Sequence, residues 1–168
     1  MTSEQVLTLA VRRYVIVGDR PFQDVMDAIY AGISRPDIEG LFRQLAAATS
    51  FEQFGSLVAQ AQGSAGLMRF LELELDNALA LDPHAADKRR LVRLIAGNPV
   101  TMGQMTRTLP DAGSYAPVTI LIQELPGGGT RIAYDSVVSA IEGYGDPESL
   151  KVAEHLDDEV LTLLRSAA

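Results

Sequence analysis

The chain has 168 residues, 47% of them apolar and 21% charged, with a net charge of −8 and no cysteine. This length and balance suit one soluble domain that closes its own core, and they exclude a disordered chain. The missing cysteines exclude a disulfide framework, a thiolate nucleophile and cysteine-ligated zinc or iron–sulfur sites, and the acidic balance opposes binding to a phosphate backbone.

The first residues, MTSEQVLTLAVRRYV, lack the basic-then-apolar pattern of a signal peptide, and no apolar run approaches the ~18–20 residues of a membrane span. A cytoplasmic location is expected, with neither membrane nor nucleic acid as partner. The densest basic cluster, Lys88-Arg89-Arg90 with Arg93, is interrupted by core-type residues and reads as the solvated side of a strand end.

Arg12–Val17 is β-branched and aromatic and closes on Gly18-Asp19, which predicts a first strand. Pro21 then opens a helix over about 21–33, with Phe22, Val25, Met26, Ile29 and Ile33 at helical spacing. Ser34 and Asp37 form a cap-like pair around Pro36 for a second helix, whose stripe is Ile38, Leu41, Phe42 and Leu45. Thr49-Ser50 caps a third helix running to about residue 61, and Gly63–Gly66 is a turn.

The segment from Leu67 to Leu79 carries two patterns. Leu71, Leu73 and Leu75 alternate with acids at strand period, whereas Leu67, Phe70, Leu71, Leu75, Ala78 and Leu79 fit one face of a helix. Asp82-Pro83-His84 is a turn. Leu91–Ala96 reads as a buried strand ended by Gly97-Asn98-Pro99, with a short helix over Val100–Thr108 and a loop over Pro110–Pro117. Val118–Leu125 and Thr130–Tyr134 flank Pro126-Gly127-Gly128-Gly129 and predict an antiparallel hairpin. Asp146-Pro147 opens an acidic helix with Val152, Leu156, Val160 and Leu163 as its stripe and Ala153 and Leu164 beside it.

The expected fold is α+β: an antiparallel or mixed sheet of four to five strands with helices on one face. It forms a single domain over 1–168.

From Leu91 to Val137 the chain resembles the family catalogued as domain of unknown function number 302. The residues that carry the likeness are Gly97-Asn98-Pro99 after a strand, the short helix Val100–Thr108, and the hairpin Val118–Tyr134 ending in tyrosine. Leu71–Asp76 followed by Asn77-Ala78 looks like the family's upstream strand, which tips that segment toward strand. The family's opening strand and helix look like Arg12–Ile33. The resemblance implies a small α+β fold, dimeric, with no established activity and no catalytic residue to carry over. This chain departs from it in the helical pair at about 36–63, which reads as an insertion, and in the longer acidic helix at the end.

Candidate sites each carry two readings. Gly97-Asn98-Pro99 could present helix N–H groups to an anion, or Asn98 could merely cap the helix. The three glycines at 127–129 lack the lysine and hydroxyl of a phosphate loop and fit a turn. His155 and Glu159 could share a helix face, but two ligands from one exposed helix are not a metal site, and His84 has no persuasive partner. Neither a metal nor a cofactor is expected. Glu124, on a strand face with Ile120 and Ile122, would be a carboxylate in apolar surroundings with a raised pKa. With Arg107 and Tyr134 it forms a candidate acid–base set, and Asn98, Arg107 and Tyr115 form a candidate ligand set.

Three functions fit. One is a homodimeric small-molecule-binding module with an anionic or apolar ligand between the sheet and the helical pair. Another is a small acid–base enzyme using Glu124, Arg107 and Tyr134. The last is an assembly or protein-interaction subunit with an apolar surface on the helices at 36–63.

Overall fold

The computed structural model describes residues 2–168. The strands are β1 (Arg13–Gly18), β2 (Met68–Glu74), β3 (Leu91–Gly97), β4 (Val118–Glu124) and β5 (Thr130–Asp135). The helices are α1 (Phe22–Gly32), α2 (Ile38–Ala47), α3 (Phe51–Ala61), α4 (Asp76–Leu81), α5 (Pro99–Thr106), α6 (Val137–Ile141) and α7 (Pro147–Ala167).

The strands make one sheet in the order β1-β5-β4-β3-β2, and every pairing between them is antiparallel. A meander runs from β2 to β5, and β1 closes the far edge with Arg13 opposite Asp135 and Val17 opposite Arg131. The glycine-rich turn between β4 and β5 works as a turn. Gly127 and Gly128 hold φ of 94° and 98°, a region that side chains with a Cβ avoid.

Alternation along the strands sorts the side chains onto two faces. Val92, Leu94, Val118, Ile120, Ile122, Ile132 and Tyr134 point to one face and are buried. There α7 lies across the sheet and buries Ala153, Leu156, Val160, Leu161 and Leu164. Each large apolar side chain contributes about 1.5–3 kcal/mol on burial. Helices α1, α5 and α6 pack around α7 on the same side. Helices α1, α5, α6 and α7 thus form the layer on this face.

The pair α2–α3 is present where the sequence places it. Ser50 accepts from the Gln53 N–H, and the Gln53 side chain accepts from Thr49, a reciprocal cap. At α2 the cap belongs to Asp37 alone, which accepts from Gly40 N. Ser34 does not share it. Its backbone instead bridges in parallel to Met68, with Arg69 N donating to Ser34 O. The pair packs on β2 and α5 through a second small core of Leu41, Leu45, Val58 and Met68, with Phe70 and Val100 against it.

The two readings of 67–79 are each right over half the segment. Residues 68–74 form the edge strand β2 and residues 76–81 the short helix α4. Sequence reading misses α6, whose five residues follow β5 at once and begin with two β-branched valines that extend the strand signal.

One buried carboxylate joins the helical layer to the sheet. Asp157 of α7 accepts from Tyr134 Oη at 2.5 Å, Ser136 Oγ at 2.6 Å, Val137 N at 3.0 Å and Val138 N at 3.3 Å. It thus satisfies the hydroxyl at the end of β5 and the free N–H groups that start α6. Burial, then the neighbouring Asp157 charge and the hydrogen bond to it, push the Tyr134 phenol above its ordinary value of 10.0.

Asp157→Ala leaves those donors in a dry site and is expected to cost about 3 kcal/mol or more in denaturant melts, whereas exposed Asp158→Ala stays within about 0.5 kcal/mol. Tyr134 also sets a base limit. Its folded pKa exceeds its unfolded value, so its contribution is full below the ordinary phenol pKa and is lost as pH rises toward the folded value. Ultraviolet titration should show late-ionising phenols, since burial and Glu72 raise Tyr30 as well, and Tyr134→Phe should remove one phenol from that late component.

Candidate functional site

The residues proposed as an acid–base set do not meet. Glu124 ends β4 beside the 85–90 loop, where its carboxylate accepts from Arg90 N at 3.2 Å. Its position on the Ile120–Ile122 face is right in parity, but the core has already ended there, so the surroundings are not apolar. Arg107 is exposed at the end of α5 and pairs with Glu148 at 3.3 Å. Tyr134 is buried and donates to Asp157. Three separate partners replace the expected cluster.

The ligand set fares similarly. Asn98 is a fully used cap: its Oδ1 accepts from Val100 N and Thr101 N, and its Nδ2 donates to Gln62 Oε1 and Gly66 O. It ties α5 to the end of α3 and the turn after it, with no donor left for an anion. Only half-buried Tyr115 lines a cavity, one of about 240 Å³ that it shares with Ser114, Thr119, Asp135 and Ser136. The space between the sheet and the α2–α3 pair, expected to hold a ligand, is filled by Leu41, Leu45, Val58 and Met68.

His155 and Glu159 do share a face of α7, 3.4 Å apart, at the rim of an open groove of about 620 Å³ between α1 and α7. Partial burial raises the Glu159 carboxyl and His155 opposes that shift. Small side chains line the groove floor, among them Ala28, Gly32 and Ala65. Among the described residues, no three histidine, aspartate or glutamate side chains gather as metal ligands would. No helix among the described residues is long and apolar enough to cross a membrane.

The second face of the sheet offers more. Register places Val15, Ala133, Leu121, Arg93 and Leu73 in one row across all five strands. Beside it run Arg13, Asp135, Thr119, Ile95 and Leu71. These rows are open: Val15 is 49% exposed and Leu71 46%, and Val17, in the next row opposite Arg131, is 62% exposed. The face dips over β4 and β5, where Arg13, Arg93, Thr119, Leu121, Ala133 and Asp135 enclose a basin of about 340 Å³. It adjoins the Tyr115 cavity through Thr119 and Asp135.

Charge on this face is unevenly matched. Arg13 binds Asp135 with both arms of its guanidinium, at 2.6 and 2.7 Å, and holds that carboxyl below its ordinary pKa. Arg93 has only a 3.5 Å contact to Thr119 Oγ1. Neither it nor Arg131 has an ion-pair partner among the described residues. The sequence pattern puts Arg93 on a solvated strand side. Its position between buried Val92 and Leu94 does show that it faces away from the core. That it shares a basin with Arg13 and Asp135 depends on the register of four strands.

Comparison with known proteins agrees with this architecture. The family described as "Domain of unknown function DUF302" matches residues 43–167. The chain is also similar in fold to the crystal structure of an uncharacterized conserved DUF302 protein from Bacillus stearothermophilus. The TM-score is 0.61 at 12% identity, over 93% of this chain and 98% of that one. No curated protein matches the sequence significantly. With the match spanning most of its length, the chain belongs to the DUF302 family.

Proposed function

We propose that this chain is a homodimeric small-molecule-binding module, in which two copies pair through the open face of the sheet and enclose the basin on it. The observation that carries the reading is the apolar content of that face. Val15, Val17, Leu71, Leu73 and Leu121 stand on it, and the first four are each more than a third exposed.

The size is sufficient. Five strands about 4.8 Å apart and about seven residues long at ~3.3 Å each give a face of roughly 24 by 23 Å. Two such faces, with side-chain relief, bury about 1,200 Å² in all, the lower end of stable interfaces. Its apolar part, interrupted by Arg13, Arg93 and Arg131, is of the size of the largest patch on an ordinary monomer, roughly 300–600 Å², and such patches are often functional. An isologous pair also places each basin against its partner's face, as binding sites between subunits require.

An enzymatic reading has less support, since the candidate acid, base and cation each hold a different partner. A module that binds and pairs needs no such convergence.

Sedimentation equilibrium of the full chain should give twice the chain mass at micromolar concentrations. Leu121→Glu, in the middle row, should shift it to monomer while the thermal midpoint changes little. A wild-type chain that stays monomeric at millimolar concentration overturns the pairing.

A further inference from the structure

We infer that the basin on the open sheet face takes a small organic anion, a carboxylate with an apolar body, held by Arg93 and Thr119. This deepens the reading of the open face as the binding surface and rests on it.

The guanidinium supplies the first argument. The chain carries 22 acidic and 14 basic residues, so a cation left without a carboxylate is not explained by scarcity of acids. Asp135, the acid in the basin wall, does not compensate Arg93, because Arg13 engages both of its oxygens. Arg93 therefore keeps its planar fork of donors free for an external acceptor, and a carboxylate matches that fork two bonds to two. Thr119, 3.5 Å away, adds a hydroxyl that can donate to the same group.

The floor supplies the second. Ala133 is only 5% exposed, and Leu121 stands beside it. A methyl side chain at 133, where Leu or Val would fill the dip, leaves an apolar depression below the cation. A volume of about 340 Å³ admits a molecule of several carbons and lies at the small end of ligand sites, roughly 300–1,000 Å³. The adjoining Tyr115 cavity offers the Ser114 hydroxyl to a second polar group. Inorganic phosphate shares the charge but has nothing to place on Ala133 and Leu121.

Pairing supplies the third. Face-to-face copies bring Arg93 and Arg131 of both into one interface without intrachain carboxylates, and desolvating unpaired charges is costly. An anion in each basin offsets that cost, so binding and pairing reinforce each other.

The test is a heteronuclear NMR titration of the full chain with benzoate, succinate, acetate, inorganic phosphate and chloride. Saturable shifts are expected at Arg93 Nε–H and the amides of Thr119, Leu121 and Ala133, strongest with benzoate or succinate. Arg93→Gln and Ala133→Leu should each weaken binding about tenfold or more, while exchange of the exposed lysine on α7, Lys151→Gln, leaves it unchanged. Both basin variants should keep the wild-type thermal midpoint within a few degrees; Arg93 is exposed, so its exchange spares the core. The inference is overturned if no probe gives saturable shifts, if phosphate binds as well as the carboxylates, or if Arg93→Gln binds unchanged. Sedimentation of the same samples separates the two readings. A monomer that binds benzoate through Arg93 upholds the ligand and rejects the pairing, and a dimer that binds nothing does the reverse.

Discussion

Asp157 fixes how this molecule can be used. A carboxylate on the inner side of α7 is tolerable only if its oxygens are fully bonded, because an unpaired buried charge would cost far more than the helix gains. The four donors that meet it come from β5 and the first turn of α6, so the helix cannot slide or lift without abandoning them. The same bonds consume the Tyr134 hydroxyl. Asn98 is consumed in its own cap, and Ser149 donates to Met105 O. These side chains on the helical side are thus bonded within the fold. Arg93 and Arg131, guanidiniums without an ion-pair partner among the described residues, stand on the other side of the sheet.

That side is physically unresolved in a single copy. An antiparallel sheet can leave one face in water when the face is polar. Here the outward positions mix valine and leucine with arginine. Apolar side chains favour a covering layer, whereas free guanidiniums oppose one unless acceptors come with it. A second copy satisfies the first demand and worsens the second. A carboxylate with an apolar body satisfies both, which is why the two proposals lean on each other without being the same claim.

The parts of the fold legible in the sequence are those governed by local rules. Period-two alternation and three glycines mark β4, β5 and the turn between them, and Asn98, Ser50 and Asp146 mark helix starts because capping acts over three residues. Asp157 was visible in principle. It lies four residues after Ala153 and three before Val160, on the buried stripe of α7, but the acids at 154, 158 and 159 make it look like one more solvated charge. Glu124 misled for the converse reason: its parity is that of the core, and only its place at the strand end puts it in water. The basin could not be read at all, because Arg13 and Asp135 are 122 residues apart in sequence. Register between distant strands is a tertiary fact.

Reciprocity sets the last constraint. If an anion stabilises the pair by removing the cost of desolvating Arg93 and Arg131, the pair must raise the affinity for the anion by the same factor. Coulomb attraction to an exposed guanidinium is about 1 kcal/mol in water at 4 Å and several times that when water is excluded. A lone basin is therefore a weak site, and a covered one is much stronger. The free chain, with a net charge of −8, repels both its own copies and anionic ligands at long range. Attraction takes over only at the open face, where the positive charge is local and the walls are apolar. Such a site discriminates by what reaches contact and not by what is drawn in from a distance, which favours small carboxylates abundant enough to find it unaided.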